Sequence, residues 1–219
     1  EHYIQALNDM AQTYQHIDYH TEIIAILANH LISHNIGKQP KVEALKLCED
    51  AITKFPKSSG TSKCEQIIQE IKRTTIQIYG ESVYPADRSL LFAFDHNNVS
   101  KVEISIYSLP LDIRNDIVNI SQEEVLNYVQ NQKKIRTSTL NFNLSPEYNI
   151  QKTEWSTTGL KCGKYALILE GNNAKQFIIF NVSNLSYTTY ENGDKRVIVV
   201  SNRVTGAPVN NAIVELIMQ

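Results

Sequence analysis

Hydrophobic residues change their spacing once along this chain, close to Thr74. Before that point they recur in steps of three and four, which places them on one face of an α-helix. After it they occupy every second position, which is typical of a half-buried β-strand. We therefore predict a multidomain protein, helical first and all-β afterwards. Repeat-like antiparallel helical hairpins should be followed by an antiparallel β-sandwich with one short inserted helix.

Four helices are predicted in the first part. The inward face of the first should consist of Tyr3, Leu7, Met10, Tyr14 and Ile17. The inward face of the second should consist of Ile23, Ile24, Ile26, Leu27 and Leu31. The third helix should run over about Lys41 to Phe55, and the fourth over about Ser62 to Arg73. The second should end near Asn35–Gly37, and Pro56–Gly60 should form a turn, because glycine and proline interrupt helices.

The alternating part predicts a series of strands. They lie around Ile76–Ile78, Leu90–Phe94, Val102–Ile106, Leu140–Leu144, Tyr165–Leu169, Ile178–Val182, Val197–Val200 and Ile213–Leu216, with a turn at Glu191–Asp194. Ser121 and Glu124 form a capping-box pattern, which predicts a helix over about Ser121 to Gln130. We divide the chain into a helical domain (1–74), a sandwich (75–184) and the first strands of an incomplete second sandwich (185–219).

Charge and composition exclude some classes of partner. The 219 residues carry 21 basic and 23 acidic side chains, a net charge of -2, which gives no reason to expect nucleic acid or an anionic membrane surface. No apolar run approaches the roughly 20 residues of a membrane-spanning helix, so direct membrane insertion is not expected. No signal peptide is visible, and we take the chain as a mature segment.

The stretch from Val204 to Leu216 carries the sharpest resemblance to a known family. A strand leads to Thr205-Gly206-Ala207-Pro208, then to small residues and an alternating strand. This resembles the start of the second macroglobulin domain of bacterial alpha-2-macroglobulins. Phe177–Tyr190 resembles the link between the first two such domains, and Trp155 with Gly163-Lys164-Tyr165 resembles late strands of the first. Leu31, Ala44, Ala51 and Pro56 match the spacing of a tetratricopeptide repeat, a module that precedes these domains in Bacteroidetes-like bacteria.

The resemblance implies a non-catalytic scaffold segment of a secreted or periplasmic protease-trapping protein. Its partners would be proteases, through the full-length protein, and other domains of the same chain; no cofactor is implied. Two other readings stay open, a peptide-binding or adhesion module of a bacterial surface protein and an accessory sandwich of a glycan-active system. No Ser-His-Asp order, phosphate loop or paired carboxylates indicate an enzyme.

The three cysteines suggest a structural role. Cys64-Glu65-Gln66 superficially resembles the family's thioester sequence, but it lacks the glycine and the three-residue spacing, and helical residues i and i+2 diverge. Cys48 and Cys64 should lie about two turns from a shared hairpin loop. They could form a disulfide in an oxidising compartment, or remain two buried thiols that pack as small apolar residues. Cys162 should be unpaired.

The remaining motifs favour structural roles. Thr205, Gly206 and Pro208 should form a turn, because glycine tolerates positive φ and proline fixes φ. His16 with His20, and His30 with His34, have the spacing of helical metal ligands but no third ligand, so we predict no metal site. Trp155 should be a core aromatic residue. Five Asn-x-Ser/Thr sequences (Asn98, Asn119, Asn143, Asn181 and Asn184) are expected by chance in a chain of this composition.

Overall fold

The computed structural model describes residues 2–111 and 121–215. Within them the chain forms helices first and β-sheets afterwards, as the change of spacing predicts. The helices are α1 His2–Thr13, α2 His20–Ser33, α3 Pro40–Lys54, α4 Thr61–Lys72 and α5 Gln122–Gln130. The strands are β1 Thr75–Tyr79, β2 Val83–Tyr84, β3 Leu90–Asn97, β4 Lys101–Leu109, β5 Lys133–Asn141, β6 Gln151–Thr157, β7 Gly163–Gly171, β8 Ala174–Val182, β9 Leu185–Asn192 and β10 Lys195–Asn202.

The chain divides into two compact units. The helical unit comprises Glu1–Thr75, His96–Ser100 and Phe142–Gln151, and the sheet unit comprises Ile76–Asp95, Lys101–Asn141 and Lys152–Gln219. The boundaries expected after residues 74 and 184 divide the chain differently and stay predictions.

The helical unit encloses an apolar core between α1, α2, α3 and α4. The inward face predicted for the first helix is wrong, because only Leu7 of its five residues is buried. Helix α1 instead buries Leu7 and Ala11, with Ile4 packed partly against the same core. Both stripes have helical spacing, and the buried one includes a small residue that permits close helix approach. Tyr14 and Ile17 follow the end of α1 and are exposed.

Helix α2 ends where the sequence predicts. Asn35 and Gly37 both have positive φ, 51° and 95°. The backbone N–H of Ile36 donates to the carbonyl of Leu31 at 3.0 Å, a bond typical of a helix closed by a left-handed residue. The predicted inward position of Ile26 is wrong, since that side chain is 44% exposed.

The sheets are mixed in direction. One has the order β1-β3-β6, a second has the order β2-β8-β7-β4-β5, and β9 pairs with β10. The β4–β5, β4–β7 and β7–β8 pairs are antiparallel, whereas β2 runs parallel to β8. Phe92 of β3 and Phe180 of β8 have ring centroids 5.3 Å apart, so the first two sheets contact through buried aromatic residues.

Local signals in the second part are confirmed. The Ser121 hydroxyl accepts from the Glu124 N–H at 3.2 Å, while the Glu124 carboxylate accepts from the Ser121 N–H at 2.8 Å. This capping box begins α5 as predicted. The predicted turn joins β9 to β10, with φ of 62° at Gly193.

One predicted strand ends earlier than expected, and another does not form over its described residues. Strand β5 stops at Asn141, and Leu144, expected inside, is 55% exposed. Residues 213–215 form no strand, and Ile213 is 90% exposed. Alternation alone does not make a strand, because a strand also needs a neighbour to complete its backbone hydrogen bonds. Leu216, the last residue of that prediction, lies outside the described residues.

Candidate functional site

Cys48 and Cys64 meet in the core of the helical unit. Helices α3 and α4 carry them, and each has 0% exposure. The Cys64 thiol donates a hydrogen bond to the Thr21 carbonyl at 3.6 Å. Both are free thiols here, which corresponds to one of the two predicted alternatives; the bonded form stays a prediction.

The neighbouring Cys64 thiol, together with burial, raises the pKa of Cys48. Cys162 is free and exposed, directly before the sheet-unit strand β7.

The Cys64-Glu65-Gln66 sequence does not form a reactive arrangement. All three residues lie within α4, where Cys64 is buried and Gln66 is exposed. Their side chains point apart, as helix geometry requires for residues two positions apart.

The motif around Gly206 forms a tight turn after β10. The Asn202 side-chain oxygen accepts from the N–H groups of Val204 and Thr205 at 2.9 and 3.0 Å. Gly206 has φ of 74°, and its N–H donates to the Asn202 carbonyl at 2.8 Å. The chain then returns, so that Pro208 bridges antiparallel to Ser201. A Cβ on Gly206 would meet nothing within 4 Å, so the backbone conformation rather than lack of space favours glycine.

The histidine pairs do not assemble a metal centre. The rings of His30 and His34 lie 4.1 Å apart, and burial is the largest cause of a lowered pKa at His30. Among the described residues no group of three His, Cys, Asp or Glu side chains is placed to hold a metal ion. Trp155 is half-buried, with its ring 6.1 Å from that of Phe92. Of the five glycosylation-type sequences, Asn119 lies outside the described residues.

A groove lies on the helical unit, and both apolar and polar side chains line it. It has a volume of about 410 Å³ and is bordered by α1, the start of α2 and α3. Its polar lining consists of Asn8, Gln12, Gln15, His20, Asp50 and Lys54. Burial and the positive charge of Lys54 lower the pKa of His20, so the imidazole is neutral more readily than a free one.

A larger cavity lies within the sheet unit, beside the β9–β10 pair. Its volume is about 950 Å³. Strand residues Tyr187, Arg196 and Val200 line one side, and Val182 with Cys162 lines another. Neither cavity was predicted, because each combines residues distant in sequence. The exposed apolar residues of β9, including Leu185 and Tyr187, are the one local signal for the second.

Comparisons with known proteins leave the family unassigned. No family model matches the chain, and no curated protein matches it significantly. Among solved structures, the chain is similar to an Escherichia coli alpha-2-macroglobulin fragment spanning domains MG0-NIE-MG1, with 12% identity and a TM-score of 0.48 over 63% of this chain and 48% of that one. This chain thus spans about half of that fragment.

Two further similarities are lower in TM-score. The CARDB domain of a Pyrococcus furiosus protein has 13% identity and a TM-score of 0.31, over 51% of this chain and 88% of that one. A superoxide reductase (neelaredoxin) from Ignicoccus hospitalis has 12% identity and a TM-score of 0.33, over 54% and 87%. Since none of these three TM-scores reaches 0.5, the family stays a prediction. Within residues 2–111 and 121–215, no helix has the length and apolarity needed to cross a bilayer.

Proposed function

We propose that this chain is a non-catalytic scaffold and interaction segment of an alpha-2-macroglobulin-like protease-trapping protein. Helices α1 to α4 would be tetratricopeptide-like hairpins, and the following sheets a macroglobulin-like β-sandwich. Residues 185–219 would be the first strands of a second such domain. The proposed compartment is periplasmic or extracellular, and the proposed partners are proteases, through the whole protein, together with its other domains.

The turn after β10 is the observation that carries this proposal. Its sequence resembles the family motif at Thr205, Gly206 and Pro208. Its geometry reverses the chain: the Asn202 N–H donates to the Ala207 carbonyl at 2.8 Å, and the Val209 N–H donates to the Val200 carbonyl at 2.9 Å. A strand, a turn at a glycine with positive φ and a return beside the same strand agree with the first part of that motif. The alternating strand that should follow does not form over residues 213–215.

Protease trapping has a measurable signature. A caged protease keeps its activity on a small chromogenic peptide but loses activity on a large protein substrate, because only the small molecule reaches the enclosed active site. We expect this split when the full-length parent protein is incubated with a broad-specificity protease. The 219-residue segment alone should leave both activities unchanged. Stoichiometric inhibition by the segment alone, or loss of both activities with the full-length protein, would contradict the proposal.

Peptide binding is a second candidate function, favoured by the groove between α1, α2 and α3. Asn8, Gln12 and Gln15 offer amide donors and acceptors that fit a peptide backbone, and Lys54 offers a cation for an acidic group. A random peptide pool captured on the chain tests it. Peptides that the wild-type chain enriches should no longer be enriched by the Lys54→Ala and Gln12→Ala variants. The Lys46→Ala variant should still enrich them, because the exposed Lys46 side chain does not line the groove. No enrichment above the pool would exclude this function.

A further inference from the structure

The β9–β10 hairpin divides the backbone groups of β9 between its two sides. Asn192 pairs with Lys195 across the two-residue turn Gly193-Asp194, and in such a hairpin the pair beside the turn is hydrogen-bonded. Hydrogen-bonded and non-bonded pairs then alternate, so every second residue of β9 directs its N–H and C=O away from β10. The residues with these outward-directed groups are Leu185, Tyr187, Thr189 and Glu191.

Leu185 differs from the other three, because side chains already bond its outward groups. Its N–H donates to the Ser183 hydroxyl at 3.1 Å, and its carbonyl accepts from Arg203 Nε at 3.3 Å. In the part of the chain that the structure describes, the other three outward residues have no backbone partner on that side. An open row of donors and acceptors fits another extended backbone, which is how strand addition recognises peptides.

The outer border of β10 leaves less room for a further strand. The Asn202 N–H donates to the Ala207 carbonyl at 2.8 Å, and the Val209 N–H donates to the Val200 carbonyl at 2.9 Å. The chain that returns after β10 therefore already covers part of that border. An additional strand fits at β9 rather than at β10.

The sheet-unit cavity of about 950 Å³ lies on the same face of the hairpin as the outward residues. Tyr187 and Thr189 line it from β9, and Ile198 and Val200 line it from β10. Because side chains alternate along a strand, every second side chain of an added strand would lie on this largely apolar face. The residues of that strand whose backbone bonds Tyr187 and Thr189 should therefore be aliphatic.

A positive charge lies at one end of the open border. Arg203 lines the cavity, and its bond to the Leu185 carbonyl places the guanidinium beside the first residue of β9. Among the described residues Arg203 forms no ion pair. Arg196 is a second cation of the lining, and Glu215 is the one carboxylate among the described residues that line it. This excess of positive charge favours a partner with an acidic side chain near Leu185.

We propose that β9 is the docking site for an extended segment of a partner protein, which adds to β9 as an antiparallel strand. The segment carries aliphatic side chains opposite Thr189 and Tyr187. Two residues closer to its C-terminus it carries an acidic side chain, which pairs with Arg203. The inference goes beyond protease trapping and does not depend on it.

A peptide of this design tests the proposal. The probe is acetyl-Thr-Thr-Val-Thr-Val-Thr-Asp-amide, added to a dilute solution of the ¹⁵N-labelled 219-residue chain. At saturation we expect hydrogen exchange at the Tyr187 and Thr189 amides to slow at least about tenfold, because both N–H groups gain an acceptor. Exchange at Thr188 and Tyr190 should change little, because their N–H groups already face β10. This alternation distinguishes strand addition from binding elsewhere on the chain.

Matched changes in peptide and protein assign the contacts. Methylation of the two valine nitrogens removes the donors that face β9, so it should weaken binding at least about tenfold. Arg203→Gln should weaken binding of the probe about tenfold, whereas a probe with asparagine in place of aspartate should bind both proteins equally. Lys195→Gln removes a positive charge at the opposite end of β10 that does not line the cavity, and should bind as wild type does.

Three results would overturn the proposal. The first is absence of binding at millimolar probe, or equal binding of the methylated probe. The second is exchange protection that does not alternate along β9. The third is a dimer that pairs at β9 and excludes the probe, because the border would then belong to a second copy of the chain. If Arg203→Gln does not fold, the wild-type exchange pattern and the methylated probe decide.

Discussion

The side-chain amide of Asn98 donates a hydrogen bond to the backbone carbonyl of Ile71, at 2.8 Å, inside the helical unit. The same amide donates to the carbonyl of Arg73 at 3.0 Å, and Asn98 itself has φ of 55°. Carbonyls at a helix C-terminus lack partners within the helix, so this side chain completes the end of α4. Asparagine suits the position because it tolerates the left-handed conformation and supplies two donors.

Two substitutions of Asn98 should distinguish the stability that its side-chain hydrogen bonds contribute from the cost of its left-handed backbone conformation. We expect Asn98→Ala to lower the free energy of unfolding by about 2–3 kcal/mol, since it removes both bonds and places alanine at positive φ. Asn98→Gly should cost less, about 1–2 kcal/mol, because only the bonds are lost. Urea denaturation measures both. A cost below about 0.5 kcal/mol for both variants would show that the cap contributes nothing.

Gly60 should not tolerate a side chain. A Cβ there would lie 2.4 Å from the Glu22 nitrogen and 2.5 Å from the Thr21 carbonyl carbon, both backbone atoms of α2 that cannot rotate away. We expect Gly60→Ala to cost at least about 2 kcal/mol of unfolding free energy by forcing the Pro56–Gly60 turn away from α2. Ser59→Ala, at the neighbouring exposed position, is the control and should stay within about 0.5 kcal/mol of wild type. An unchanged melting temperature for Gly60→Ala would contradict this packing.

The folded state should become less stable in acid partly through His20. Burial, and then the charge of Lys54, lower its pKa below the ordinary 6.5. The unfolded chain therefore binds this proton more readily, so stability is lost as the pH falls below 6.5 toward the folded-state pKa. Melting curves between about pH 7 and 5 should show a smaller decline for His20→Gln than for wild type. His16→Gln, at an exposed position, should decline as wild type does; identical curves for all three would refute the role of His20.

The Ser121–Glu124 capping box should stabilise α5 through two hydrogen bonds, and one variant for each residue can measure their separate contributions. Ser121→Ala removes the hydroxyl acceptor of the Glu124 N–H and should cost about 1 kcal/mol. Glu124→Gln should cost less, because its carbonyl can still accept from the Ser121 N–H. Thermal unfolding followed by circular dichroism gives both values. A larger loss for Glu124→Gln would mean that charge, rather than the hydrogen bond, dominates.

Sequence patterns predicted the helix ends that are determined by residues close together in the chain. The end of α2 at Asn35 and Gly37 and the start of α5 at Ser121 follow from local backbone chemistry. The inward face of α1 was mispredicted because two overlapping stripes both have helical spacing, and tertiary packing selects the one containing Leu7. The strand expected at Ile213 failed because alternation does not supply a pairing partner.

The candidate sites show the same division. The hairpin spacing placed Cys48 and Cys64 together, since both lie at similar distances from one turn. The groove of the helical unit could not be predicted, because it joins Asn8 to Lys54 through the packing of three helices. The cavity of the sheet unit likewise joins Cys162 to Arg196. Periodicity identifies which face of an element is buried, but it does not identify which elements leave a space between them.

Strand β9 pairs with β10 along its whole length, and no other described strand pairs with it. From Leu185 to Tyr190 its sequence contains no proline and no lysine, the residues that commonly keep an outer strand from recruiting another chain. Tyr187 and Tyr190 are more than half exposed beside this open border. We therefore expect concentrated solutions of the isolated 219-residue chain to aggregate first by strand pairing between copies at β9. This aggregation should begin well below the temperature at which the aromatic core around Phe92 unfolds.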